Sequence, residues 1–178
     1  MLKALVFTCL FALTGLTAAA MPTDEMFDKL KKAPSESEAN DIAQDIWASW
    51  LESGSATIDM IMARGTEAQN AGDYDTARAF YDRAILIKPD YCEAWHRRAG
   101  LFAREENFPE ALRDLNEALR LEPRHFGAWA SLASLFEAMS AEDQALDAWR
   151  EVLTIYPTMR EAQAAEKRLT KQAEGQGL

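Results

Sequence analysis

The chain has 178 residues and a mass of 19.9 kDa, the size of one domain or one short array of repeats. Hydrophobic residues at 48% and charged residues at 27% exclude a wholly disordered chain, and 19 basic against 29 acidic residues give a net charge of −10, the wrong sign for a generic nucleic-acid binder. Two cysteines and two histidines are too few for a zinc-ribbon or disulfide-stapled fold.

Residues 1–20 read as a secretory signal. Lys3 supplies the positive start, Ala4 to Leu16 is apolar to neutral, and Ala18-Ala19-Ala20 offers the small residues of a cleavage site. Cys9 follows Thr8 inside the apolar run, which is a poor lipoprotein site. Cleavage after Ala20 would leave Cys92 as the lone cysteine, expected as a small buried hydrophobe. No later segment is long and apolar enough to span a bilayer, so no integral membrane span is expected after cleavage. Residues 21–34 read as a flexible acidic leader, with at most a short helix around Met26 to Lys31.

Residues 35–54 predict a helix opened by Ser35 with Glu38 and stopped near Gly54, with Ile42, Ile46, Trp47, Trp50 and Leu51 on one apolar stripe. Beyond it the chain repeats every 34 residues. Pro89, Pro123 and Pro157 keep that spacing, as do Ala77, Ala111 and Ala145, and the small residues Gly65, Ala99 and Ala133. Large apolar columns run in phase: Ile61, Trp95, Trp129; Tyr81, Leu115, Trp149; Ile87, Leu121, Ile155. Ala77, Tyr81 and Ala84 lie four and three apart, so they share a helix face. Small columns allow close helix approach, and each proline ends a helix. Asp73, Asn107 with Glu110, and Thr158 with Glu161 are candidate helix starts. Counting back 34 places Ala43, Trp47 and Trp50 in the Ala77, Tyr81 and Ala84 columns, so residues 35–54 are expected to stack as a degenerate half repeat. Residues 160–172 predict a charged terminal helix and 173–178 a frayed tail.

The columns resemble the tetratricopeptide repeat. The second unit reads Trp95, Arg98, Ala99, Phe102, Ala111, Leu115, Ala118, Pro123, and the third Trp129, Leu132, Ala133, Phe136, Ala145, Trp149, Val152, Pro157. The first reads Ile61, Arg64, Gly65, Ala68, Ala77, Tyr81, Ala84, Pro89. Arg64 and Arg98 stand in the usual Leu slot and Ala68 in an aromatic slot, which is expected to weaken individual contacts. The resemblance implies three units, 58–91, 92–125 and 126–159, in an all-α solenoid of antiparallel helix pairs with flanking capping helices.

It also implies a concave groove, lined by the first helix of each unit, that binds a peptide or a partner domain. The groove candidates are Met62, Thr66, His96, Arg97, Arg104, Ser131 and Ser134, joined by Asp59, Gln69, Gly100, Ala130 and Glu137. His96, Arg97 and Arg104 form a basic group in an acidic chain, so an acidic, partly apolar partner segment is expected. The alternative docking face is Trp47 with Trp50.

The sequence carries no nucleophile elbow, zinc-protease motif, P-loop, C-x-x-C or dinucleotide fingerprint. His96 and His125 are expected as a surface and a loop residue rather than a metal pair. No catalytic residue, metal or cofactor is therefore expected. The reading is an exported, non-catalytic adaptor of a bacterial periplasm that binds protein rather than nucleic acid, with an obligate subunit of an envelope assembly, docked through Trp47/Trp50, as the alternative.

Overall fold

The computed structural model describes residues 21–176, and the expected signal at 1–20 lies outside them. The helices are α1 (Asp24–Lys32), α2 (Glu36–Leu51), α3 (Ala56–Asn70), α4 (Tyr74–Ile87), α5 (Cys92–Arg104), α6 (Phe108–Leu121), α7 (Phe126–Ala138), α8 (Glu142–Ile155) and α9 (Arg160–Gln176). Strands are absent among the described residues. Helices α3/α4, α5/α6 and α7/α8 pair as three hairpins, and α9 packs on α8. The terminal helix runs on past residue 172 to Gln176, so the tail expected from 173 is helical over its first four positions.

The repeating columns have direct physical counterparts. Ala77, Ala111, Ala145, Ala99 and Ala133 are all buried where the two helices of a hairpin meet. A Cβ on Gly65 would lie 2.5 Å from the Tyr81 ring, so the first unit leaves no room for the methyl group that Ala99 and Ala133 carry in the same column. The tryptophan column closes the turn between hairpins. Trp95 Nε1–H donates to the carbonyl of Pro89, and Trp129 Nε1–H to that of Pro123, both at 2.9 Å. Gln163 donates to the carbonyl of Pro157 at 2.8 Å and takes the tryptophan's place in α9.

Within each hairpin the turn passes through one left-handed residue: Gly72 (φ 80°), Glu106 (φ 58°) and Ser140 (φ 57°). Only the first of these equivalent positions is glycine, the residue that takes this conformation without strain.

Arg98, the departure from the Leu slot that was expected to weaken individual contacts, makes polar contacts in their place. Its guanidinium donates through Nε and Nη2 to the fully buried Asp114 carboxylate (2.7 and 2.9 Å) and through Nη1 to Asp82 (2.7 Å). It thereby ties α4, α5 and α6 together, while its carbon lies 5.0 Å from the Trp95 ring centre.

Capping is mixed. Ser35 accepts from Glu38 N–H and Asp73 from Thr76 N–H. Asn107 holds its N-cap position without a side-chain bond, and the buried Thr158 hydroxyl has no partner, so neither of these candidate helix starts is capped by its side chain.

The N-terminal region departs most from expectation. The supposed flexible leader contains α1, capped by Thr23, with Phe27 and Leu30 buried. It forms a hairpin with α2, and this hairpin does not extend the solenoid as a half repeat. It lies against the edge of the array, where α1 meets α8 and α2 meets α5. Arg124 clamps α1 through Asp24 (2.6 Å) and lies 4.0 Å over the Phe27 ring. Tyr156 hydrogen-bonds Asn40, and Arg160 pairs with Glu36 (2.5 Å). Size is the reason. The column that would receive Trp50 holds Ala84, Ala118 and Val152, where hairpin helices touch, and an indole does not fit there. Trp50 instead finds a slot beside Phe126 and His125, stacked on the imidazole at 4.0 Å and 8°.

Candidate functional site

Three inner helices, α3, α5 and α7, line a groove that continues to the start of α9. Two cavities occupy it. One of about 480 Å³ lies between α5 and α7, walled by Trp47, His96, Gly100, Ala130, Ser131 and Ser134. The other, about 530 Å³, lies between α3 and α5 and is bounded by Leu51, Asp59, Met62, Thr66, Tyr91 and Arg97. The fold therefore brings six of the seven groove candidates to these walls, with Arg104 outside them. Arg104 is exposed near the turn into α6, with its guanidinium carbon 4.2 Å from the Tyr74 ring centre.

Beneath the groove is a buried polar network that the sequence did not suggest. Glu93, fully buried in the first turn of α5, accepts from Arg97 Nε (2.5 Å), His96 Nδ1 (3.2 Å) and His125 Nε2 (3.2 Å). Burial alone would push the Glu93 carboxyl up. The bonds from His125 and His96 and the charge of Arg97 outweigh it and hold the carboxyl well below the usual range.

His125 is buried, contrary to the loop position expected for it. Its Nδ1 accepts from Ala128 N–H at 3.1 Å and caps α7. Burial holds its pKa below the ordinary imidazole value, against the pull of Glu93, so the ring is neutral with its proton on Nε2. His96 Nε2 lies 3.0 Å from the Ser131 hydroxyl, linking α5 to α7. Burial also pushes the Cys92 thiol up to about 12, so this residue is an inert core group as expected.

Glu93, His96 and His125 offer one potential ligand atom each, all within 4.8 Å of one another. The donor set nonetheless does not suit a cation. Coordination through His125 Nε2 would displace its proton while Nδ1 still caps α7, leaving an imidazolate. Arg97 already holds the free oxygen of Glu93. The cluster is a structural hydrogen-bond network.

Two expectations about partner contacts change here. The basic strip is not free charge, because Arg97 is neutralised by Glu93 and Arg104 stacks away from the cavities. The Trp47/Trp50 face is not a free docking surface either. Trp50 is 1% exposed, and Trp47 lies edge-on to His96 and His125, with ring centres 5.9 and 5.7 Å away. Its ring fills the space over Gly127, where a Cβ would lie 2.4 Å from it. The two tryptophans latch the chain's own N-terminal hairpin onto the groove rim. Three further candidates also have local partners. Gln69 accepts from the Tyr81 hydroxyl (2.8 Å), and Asp59 accepts from Ser53 N–H (2.9 Å). Glu137 accepts from Trp149 Nε1 (2.7 Å) and Arg168 (2.6 Å).

Helical hairpins stacked at a 34-residue period around an open groove define a protein-interaction scaffold of the solenoid class. The family model described as "Tetratricopeptide repeat" matches residues 92–125 and again 58–91. A TPR repeat-containing protein of Rhizobium etli is 36% identical over 152 residues, covering 85% of this chain and 74% of that protein. The chain belongs to the tetratricopeptide-repeat family. Cellulose synthase 2 operon protein C of Komagataeibacter xylinus is 39% identical over 87 residues, which is 48% of this chain and 6% of that much longer protein. Among solved structures, the first TPR of Spaghetti (RPAP3), bound to an HSP90 peptide, superposes with a TM-score of 0.62 at 20% identity, covering 66% of this chain and 93% of that one. The TPR2B domain of yeast Sti1 in its Hsp70 complex gives 0.61 at 22%, with 66% and 99% covered. At these identities the likeness concerns the fold alone.

Proposed function

We propose that this protein is a non-catalytic adaptor of the bacterial periplasm, exported on residues 1–20, that holds an extended peptide or a partner's segment in the groove of α3, α5 and α7. The observation that carries this reading is the pair of adjoining cavities, about 480 and 530 Å³, opened between successive inner helices and walled largely by apolar and small side chains. A concave apolar surface left open by a folded chain is the usual mark of a binding site. The structure of similar fold that is bound to an HSP90 peptide supports a peptide as the ligand type.

Gly100 provides the test. It lies on the wall of the α5/α7 cavity, and a Cβ added there meets nothing within 4 Å. Gly100→Phe should fill the slot without disturbing the fold, because it also removes a helix-interior glycine. Crosslinking pull-down from a native envelope should recover partners with the parent chain and lose them with Gly100→Phe, at equal thermal stability. Equal recovery by both would place binding elsewhere. The export step is checked by the intact mass of the secreted chain, expected to begin at Met21.

A further inference from the structure

Which segments the groove accepts depends on the charge left in it after internal pairing, an argument that rests on the groove being the binding site. Among the described residues lining the two cavities and the adjoining hollow between α7 and α9, the cationic or basic side chains are His96, Arg97 and Arg168. Each already has a partner within the chain, so none brings an unpaired positive charge. Arg97 pairs with Glu93, Arg168 pairs with Glu137 at 2.6 Å, and His96 is held between Glu93 and Ser131. The serine hydroxyls are occupied as well, Ser131 by His96 and Ser134 by the Ala130 carbonyl at 2.9 Å.

The carboxylates are in the opposite condition. Glu67 of α3 borders the α3/α5 cavity, and Glu161 of α9 borders the α5/α7 cavity. Both are exposed and neither has a cationic partner. Asp59, bound only by Ser53, adds a further negative charge beside Met62. The free charge of the groove is thus negative, inside a chain of net charge −10. Low-dielectric apolar walls focus such a field.

From this we infer that the groove selects a cationic segment, in which Lys or Arg side chains accompany a bulky apolar or aromatic residue. The apolar residue enters the slot between α5 and α7, against Trp47 and Ala130. The cations reach Glu161 on one side and Glu67 on the other. An acidic segment meets like charge at both places and finds no unpaired cation among these residues to answer it.

The test is a selection of random dodecapeptides displayed on phage against the chain from Met21, followed by fluorescence anisotropy on the enriched peptides. Lys and Arg should be enriched together with aromatic or large aliphatic residues. Affinity should fall as salt rises, because exposed charge pairs are screened over roughly 10 Å at 0.1 M. The exposed double variant Glu67→Gln/Glu161→Gln should bind the cationic peptides about tenfold more weakly at low salt, about threefold for each charge. Lys/Arg-to-Ser versions of the peptides should bind the parent and the double variant alike. Enrichment of Asp or Glu, or cationic peptides indifferent to the double variant, would overturn the charge preference, with the groove reading intact so long as Gly100→Phe abolishes capture. Peptides that bind Gly100→Phe undiminished, or no enrichment at all, would remove the groove reading and this inference with it.

Discussion

Gly127 is where one methyl group tests how the N-terminal hairpin is held. It is the second residue of α7, and a Cβ there would lie 2.4 and 2.5 Å from Cζ3 and Cη2 of Trp47. Ordinary contact begins near 3.4 Å, so the indole must withdraw by about 1 Å. The rings of Trp50, His96, His125 and Phe126, with centres within 5.9 Å of its own, confine that withdrawal to the side that faces the α5/α7 cavity, at the expense of those ring contacts. Gly127→Ala should therefore cost about 1–3 kcal/mol, the range for overpacking a filled site. With a urea slope of about 1–3 kcal/mol per molar, the midpoint falls by roughly 1 M. The penalty belongs to the Trp47 ring and not to the helix, because alanine is otherwise the better helix former by about 0.8–1 kcal/mol. In a Trp47→Ala background the same substitution should be neutral or stabilising. Paired urea melts of the four proteins form a double-mutant cycle, and a coupling energy near zero would refute the latch.

Arg98→Leu restores the residue usual for its repeat position, yet it should destabilise by about 3 kcal/mol in urea melts, because Asp114 is left buried without its bidentate partner. Arg98→Leu with Asp114→Leu should recover most of that loss. Glu106→Gly and Ser140→Gly should each stabilise the fold by about 0.5–1 kcal/mol in urea melts, since both hold left-handed turn positions that Gly72 fills without strain in the first repeat. Acid should weaken the fold in two stages. His125 resists protonation when folded, so the unfolded chain binds the extra proton and stability declines as pH falls below about 6.5. Glu93, with its carboxyl depressed in the folded chain, adds a second loss as pH falls below the ordinary carboxylate range near 4.5. His125→Asn keeps an N-cap acceptor and should flatten the first stage in melts taken from pH 7 to 5.

The sequence by itself determined the three hairpins. Their columns encode contacts between residues close in the chain, and those contacts repeat. Alanine at 77, 111 and 145 fixes where helices touch, and each proline fixes where a hairpin ends. The tryptophan at 95 and 129 bonds back to a proline carbonyl only six residues earlier. Such rules are local, so a 34-residue period displays them. The groove's position was implied by the resemblance that this periodicity carries, and six of its seven expected residues lie on cavity walls.

Tertiary structure alone decided what those residues are free to do. Arg97 looked like available charge because Glu93, four residues before it, gave no sign of being buried. That burial depends on His125, which reaches Glu93 from the next repeat, 32 residues on. Trp47 and Trp50 looked like a face awaiting a partner, and the partner is His125, Phe126 and Gly127 of the same chain, more than 70 residues away. Leu30, likewise, looked like part of a mobile leader until α2 and α8 were there to cover it. Periodicity reports spacing along one helix face, whereas burial and charge pairing are set by whatever the rest of the chain brings against that face.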